Sequence, residues 1–168
     1  GIGKSRVALH YAARARAEGR HPGGLYFCDL GDIAGEAEAH AALDEAIGVE
    51  PGAPAAPGHD LALRLDKLGD ALVILDRLDR LVALAGVIAG WLREAPRIRL
   101  LVTSLERLRI AGETTLELGP LPLPDEAAAA PQSDALDLFV ARARAVQPRF
   151  AITPRNAPDV VELLRRLD

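Results

Sequence analysis

The first five residues, Gly1-Ile2-Gly3-Lys4-Ser5, are of the types that grip phosphate. Glycines without side chains let consecutive backbone N–H groups converge on an anion. A lysine reaches the outer oxygens, and a serine hydroxyl serves a divalent cation. The full pattern opens with a further Gly, separated by four arbitrary residues from Gly-Lys-Ser/Thr, so the sequence reads as a loop entered midway. An apolar, helix-favouring run over residues 6–17 follows at once, which places a helix N-terminus and its positive dipole end where the anion would sit. Gly-Lys-Ser alone is a weak string that equally describes a Gly-rich turn. Further residues must supply the context.

Asp76 supplies it, because it ends the aliphatic run Ala71-Leu72-Val73-Ile74-Leu75. A carboxylate projecting from a buried strand end is the group that holds a metal beside bound phosphates, with Ser5 as the other protein ligand. Alone, such an acid also reads as a turn or helix cap. Asp79 lies three residues on, where a carboxylate could orient an attacking water, or could be a solvated acid of the Asp-Arg-Leu-Asp-Arg run. Thr103 and Ser104 end the neighbouring apolar run, at the strand edge where open α/β sheets bind ligands, or cap that strand end. The candidate nucleotide-binding set is thus Gly1, Ile2, Gly3, Lys4, Ser5, Arg6, Thr103 and Ser104. Ser5 and Asp76 are the candidate metal ligands, and Asp79 is the candidate catalytic residue. The four histidines, 10, 21, 40 and 59, have no ligand spacing with one another or with Cys28.

These residues need a frame. The helix over residues 6–18 stops at Gly19, and its first turns are apolar nearly all round, which predicts deepest burial beside the loop. Strands are expected over 25–30, 71–76, 98–104 and, more weakly, 114–118. Helices are expected over 36–47, 60–68 and 81–94. A continuous aliphatic run without alternation suits a strand covered on both faces, and the strand–helix alternation predicts a parallel sheet with helices on both faces. Residues 122–132 read as a linker. Two amphipathic helices follow: 134–146, capped by Ser133 with Leu136, Phe139, Val140 and Ala143 in register, and 157–167 with Val160, Leu163, Leu164 and Leu167 in register. The expected organisation is a nucleotide-binding α/β domain over 1–121, the linker, and the start of a helical subdomain over 133–168.

The 168 residues can bury one core, built from aliphatics, with only 4% aromatic content. A formal net charge of −4 without a basic patch argues against direct nucleic-acid binding by this segment. The single cysteine excludes an intramolecular disulfide and reads as a small buried hydrophobe. No run is long and apolar enough for a membrane span, and no signal-peptide pattern opens the chain. A cytoplasmic protein is expected.

The stretches GIGKSRVALHYA, GGLYFCDL, ALVILDRLDRL, IRLLVTSLERLRIAGE, LELGPLPLPD, SDALDLFVARARAV and TPRNAPDVVELLRRLD follow one another in the order and rough spacing of the STAND class of signal-transduction ATPases. The chain most resembles the ATPase module of large bacterial transcriptional regulators of the LuxR and AfsR kind, related to NB-ARC domains. That resemblance implies a P-loop NTPase fold and an ATP-driven, slowly hydrolysing switch that binds ATP or ADP with Mg²⁺. It implies further domains of one parent chain, namely a winged helix, a DNA-binding domain and helical repeats, and self-oligomerisation. By position, Lys4 would hold the β- and γ-phosphates, Ser5 and Asp76 of the Walker A and Walker B motifs would serve Mg²⁺, and Asp79 would replace a catalytic Glu. Arg77 stands where Asn or Asp is common. Leu105 stands where an arginine senses the terminal phosphate, with Arg107 and Arg109 as nearby substitutes. The class also has a strand just ahead of the loop, lying between the runs at 98–104 and 114–118, and a Gly-Leu-Pro-Leu-Ala motif beyond residue 168. The chain therefore reads as a piece lacking its first strand, with weak stability and weak nucleotide affinity of its own. Two other readings stay open: a degenerate nucleotide-binding scaffold without turnover, and a P-loop small-molecule kinase, for which an Arg-rich lid is missing.

Overall fold

A computed structural model describes residues 2–49, 58–79, 84–123 and 133–167, with the side chains of residues 58–60 left aside. The elements run α1 (Lys4–Ala17), β1 (Gly24–Asp29), α2 (Glu36–Ala46), α3 (Gly58–Leu68), β2 (Ala71–Asp76), α4 (Ala85–Glu94), β3 (Arg99–Val102), α5 (Asp134–Val146) and α6 (Ala157–Leu167). They form two compact units, Gly3–Leu116 and a second from Glu117 onward. None of the helices among the described residues is long and apolar enough to cross a membrane.

The first unit is α/β, with a three-stranded parallel sheet in the order β1-β2-β3. All six residues of β2 are buried, because helices cover it on both sides. Its side chains alternate between two layers, as the pleat requires. Val73 and Leu75 enter a core with Leu43 of α2, Leu61 and Leu65 of α3, and Ile88 and Trp91 of α4. Leu72 and Ile74 point the other way, to Ala8 and Ala12 of α1. An unbroken aliphatic run was needed for that double duty. Helices cross between successive strands because parallel neighbours cannot be joined by a hairpin.

The direction of α1 is fixed at its far end. His21, just beyond the helix, meets Asp70 at the start of β2 (Nδ1 to Oδ1, 3.2 Å), and the Gly23 N–H donates to the Asp70 carbonyl at 2.9 Å. Gly19, at φ 66°, releases the chain from the helix into this turn. At about 1.5 Å per residue α1 is about 21 Å long. Six residues of β2 at about 3.3 Å each span about 20 Å. Helix α1 thus runs antiparallel to β2, and its N-terminus reaches the carboxyl edge of the sheet.

Several expectations change. Helix α1 begins at Lys4, not Arg6, so Lys4 and Ser5 lie in its first turn. Its burial is not deepest beside the loop: Ala8 and Ala15 are its buried residues, and Val7, Leu9 and Tyr11 are exposed. The helix meets the sheet along one stripe at helical spacing, which leaves its other apolar side chains outside. Strand β3 is shorter than expected and leaves Thr103 and Ser104 just past its end. Residues 114–118 form no strand, since an extended segment becomes one only beside a partner, and they pair with no described strand. The expected first turn of the helix at 81, and most of the 122–132 linker, lie outside the described residues.

The second unit is helical. Ser133 caps α5 by accepting from the Leu136 N–H at 3.2 Å, and Ala135, Leu136, Val160 and Leu164 form its core. Leu163 and Leu167, expected in the apolar register of α6, are exposed.

Candidate functional site

Strands β1 and β2 end together, in register, on Asp29 and Asp76. Just beyond, the chain makes its chemistry-bearing turns. Asp76 is only 3% exposed, so its carboxylate requires a partner. Thr103 provides one: its hydroxyl donates to Asp76 Oδ1 at 2.5 Å, a length typical of a charge-assisted O–H···O⁻ bond. The same hydroxyl oxygen accepts from the Arg77 N–H at 3.0 Å. The backbone of Thr103 continues the pairing, donating to the Leu75 carbonyl and accepting from the Leu78 N–H, both at 3.0 Å. Oδ2 of Asp76 makes no hydrogen bond to a described residue.

Arg77 bends away at φ 60° and spans to β1. Its Nε donates to Asp29 Oδ1 at 2.8 Å and its Nη2 to Asp29 Oδ2 at 2.5 Å, a bidentate pair, while Asp32 lies 3.8 Å away. The Gly31 N–H adds a bond to Asp29 at 3.0 Å. The guanidinium, and then that N–H, hold the Asp29 carboxyl below its ordinary range. The guanidinium is pushed the other way, up, chiefly by the bond to Asp29. Next to Asp29, burial above all drives the Cys28 thiol up to about 11, so this cysteine is a packed neutral side chain and no nucleophile.

Asp79 is also engaged. Its Oδ1 accepts from the Leu105 N–H at 2.5 Å, tying the turn after β2 to the turn after β3. The Leu105 side chain is 77% exposed and offers nothing to an anion. Ser104 folds back to accept from the Glu106 N–H at 3.1 Å. Arg109 lies in a loop whose backbone closes on Glu113, which accepts from the Leu108, Arg109 and Ile110 N–H groups at 3.2, 2.6 and 3.3 Å.

At the same sheet edge, Gly3 precedes α1 at φ 93°, a conformation that favours glycine, and no side chain caps the helix. The N–H groups of its first turn have no intrahelical acceptor. Lys4 and Ser5 are half-buried there and Ile2 and Arg6 are exposed, while Gly1 lies outside the described residues. The fold therefore brings Lys4, Ser5, Asp76, Asp79, Thr103 and Ser104 to one edge. An open depression lined by Arg16, Arg20, His21 and Tyr26 lies at the opposite, amino edge, away from all of them.

The residues present fit a magnesium nucleotide in kind. Mg²⁺ is bound by one or two carboxylates together with substrate phosphates and waters, not by an all-protein cage. Asp76, with one oxygen held and the other turned to no described donor, together with the Ser5 hydroxyl, is such a donor set. No cluster of three or more His, Cys, Asp or Glu side chains suited to a metal exists among the described residues. Asp29 and its clamp on Arg77 were not singled out in the sequence. The signal was there: LYFCD, like ALVILD, is an apolar run that ends in an acid.

No protein-family model matches the chain. No solved structure matches it either. An uncharacterized protein of Mycobacterium tuberculosis is 35% identical over 169 residues, covering 100% of this chain and 40% of its own length. A second protein of that organism, named "Putative HTH-type transcriptional regulator", is 32% identical over 169 residues, covering 100% of this chain and 18% of its own. Mycobacterium bovis has a protein of the same name with the same identity and coverage. The chain thus spans well under half the length of these relatives.

Proposed function

We propose that this chain is the nucleotide-binding part of an ATP-dependent switch, of the P-loop, STAND type, in a transcriptional regulator. The observation that carries it is the meeting of two features at one sheet edge: a helix N-terminus entered through Gly3 at positive φ and followed by Lys4 and Ser5, and the buried, hydroxyl-held carboxylate of Asp76. Phosphates would lie against the first-turn N–H groups, whose partial positive charge favours an anion. Lys4 would pair with the outer phosphate oxygens, and Asp76 and Ser5 would hold Mg²⁺. The ion, when bound, screens phosphate charge. The regulator context draws on the name of the helix-turn-helix relatives, and DNA binding and self-assembly would belong to other parts of the whole protein.

Asp79 bears on turnover. One oxygen of its carboxylate accepts from the Leu105 N–H, which fixes the side chain beside the turn after β3. Together with the leucine at 105, which offers nothing to a terminal phosphate, this favours a second version in which nucleotide binds and holds the structure without rapid hydrolysis. Binding and turnover of ATP in the full-length protein, against Lys4→Ala and Asp76→Ala, test the reading. Loss of a charge-assisted bond of about 1.5–3 kcal/mol lowers ATP affinity by about 10–100-fold in Lys4→Ala. Asp76→Ala loses the Mg²⁺-dependent part of binding. Equal binding and turnover in all three proteins sink the proposal, and tight binding without phosphate release selects the scaffold version.

A further inference from the structure

We infer that Thr103 is a positioning residue that aims the Asp76 carboxylate, and not a group that touches nucleotide. The inference rests on the phosphate-binding reading above and deepens it. A threonine hydroxyl has one proton and two lone pairs. In Thr103 the proton is spent on Asp76 Oδ1 and a lone pair on the Arg77 N–H. A phosphate oxygen only accepts, so Thr103 has nothing left to donate to one while it holds Asp76. The backbone bonds to Leu75 and Leu78 on either side fix the threonine against the end of β2. Its hydroxyl therefore sets the carboxylate torsion, with Oδ1 turned to β3 and Oδ2 left for a cation. The Arg77 bond to the same oxygen accompanies the turn of the chain to φ 60°, which carries the Arg77 side chain away toward Asp29.

Thr103→Val keeps the shape and removes the hydroxyl, while Thr103→Ser keeps the hydroxyl. ATP binding by the full-length protein is measured across a Mg²⁺ titration and again in EDTA. Residues that orient a metal ligand are worth about 10–100-fold in metal affinity. Thr103→Val is therefore expected to need about 10–100-fold more Mg²⁺ for half-maximal ATP binding, with metal-free ATP affinity unchanged and Thr103→Ser close to wild type. Wild-type Mg²⁺ dependence in Thr103→Val overturns the inference, as does an equal loss with and without Mg²⁺, or a serine variant that behaves like the valine. Amide exchange without nucleotide reads the same hydroxyl independently: exchange at Arg77 speeds up in Thr103→Val and not in Thr103→Ser, and unchanged exchange overturns the bond itself. A wild-type protein that binds no ATP in either condition brings down the phosphate-binding reading, and this inference with it.

Discussion

Arg77 occupies a backbone position that suits few residues. Its φ of 60° lies in the left-handed region, where Asn and Asp are the best tolerated side chains after glycine. Arginine is held there by its bidentate grip on Asp29. The sign of the pH effect follows from the lowered Asp29 carboxyl. A group depressed in the folded state stabilises above its unfolded value and loses that contribution as pH falls through the folded value. Asp29→Asn should therefore be less stable than wild type at neutral pH, and the difference in urea midpoint should close as acid protonates Asp29. The gap is small, because both side chains are nearly half exposed (45% and 46%) and water screens the pair. A gap that persists in acid would assign the effect to something other than the charge. The clamp could not be read from the sequence, where Arg77 sits in a run of alternating charges that looks solvated and its partner is 48 residues away.

At the scale of elements, β2 was the most readable segment, and all six of its residues are buried. Its aliphatic run announced burial on both faces, and each face found its helices. Leu75 is 1% exposed among residues of three helices, so Leu75→Ala removes packing that the surroundings cannot refill. An expected loss of about 2–5 kcal/mol, measured by urea denaturation, would rank it among severe core changes. A loss under about 1 kcal/mol would mean the layer collapses around the gap. Residues 114–118 carry a weaker strand signal, and they form no strand. Strand propensity describes fit to a neighbour, and neighbours are not written locally. The same limit hid Asp79. Its spacing from Asp76 suggested a free carboxylate, whereas its bond to the Leu105 N–H depends on how two strand ends lie side by side. The placement of Lys4, Ser5 and Asp76 at one edge was legible for the opposite reason, since helix direction and strand order alone set it.

At the scale of the whole molecule, the two units differ in what sustains them. The first rests on a layered core around β2, and the second on a small cluster, Ala135, Leu136, Val160 and Leu164, with Phe139 and Phe150 set edge to face. With fewer buried apolar side chains among the described residues, that cluster contributes less stability than the core around β2. The chain has a single tryptophan, and Trp91 lies 3% exposed in the first unit, its ring 5.4 Å from that of His40. An indole in dry surroundings emits to the blue, and its light shifts red only when that layer opens to water. Far-UV ellipticity sums the helices of both units, so in rising denaturant it should fall before the emission moves, the early part being the loss of α5 and α6. Coincident curves would mean that the units melt as one. The buried indole thus gives the sheet-bearing half a natural optical label, to which the helical pair is dark.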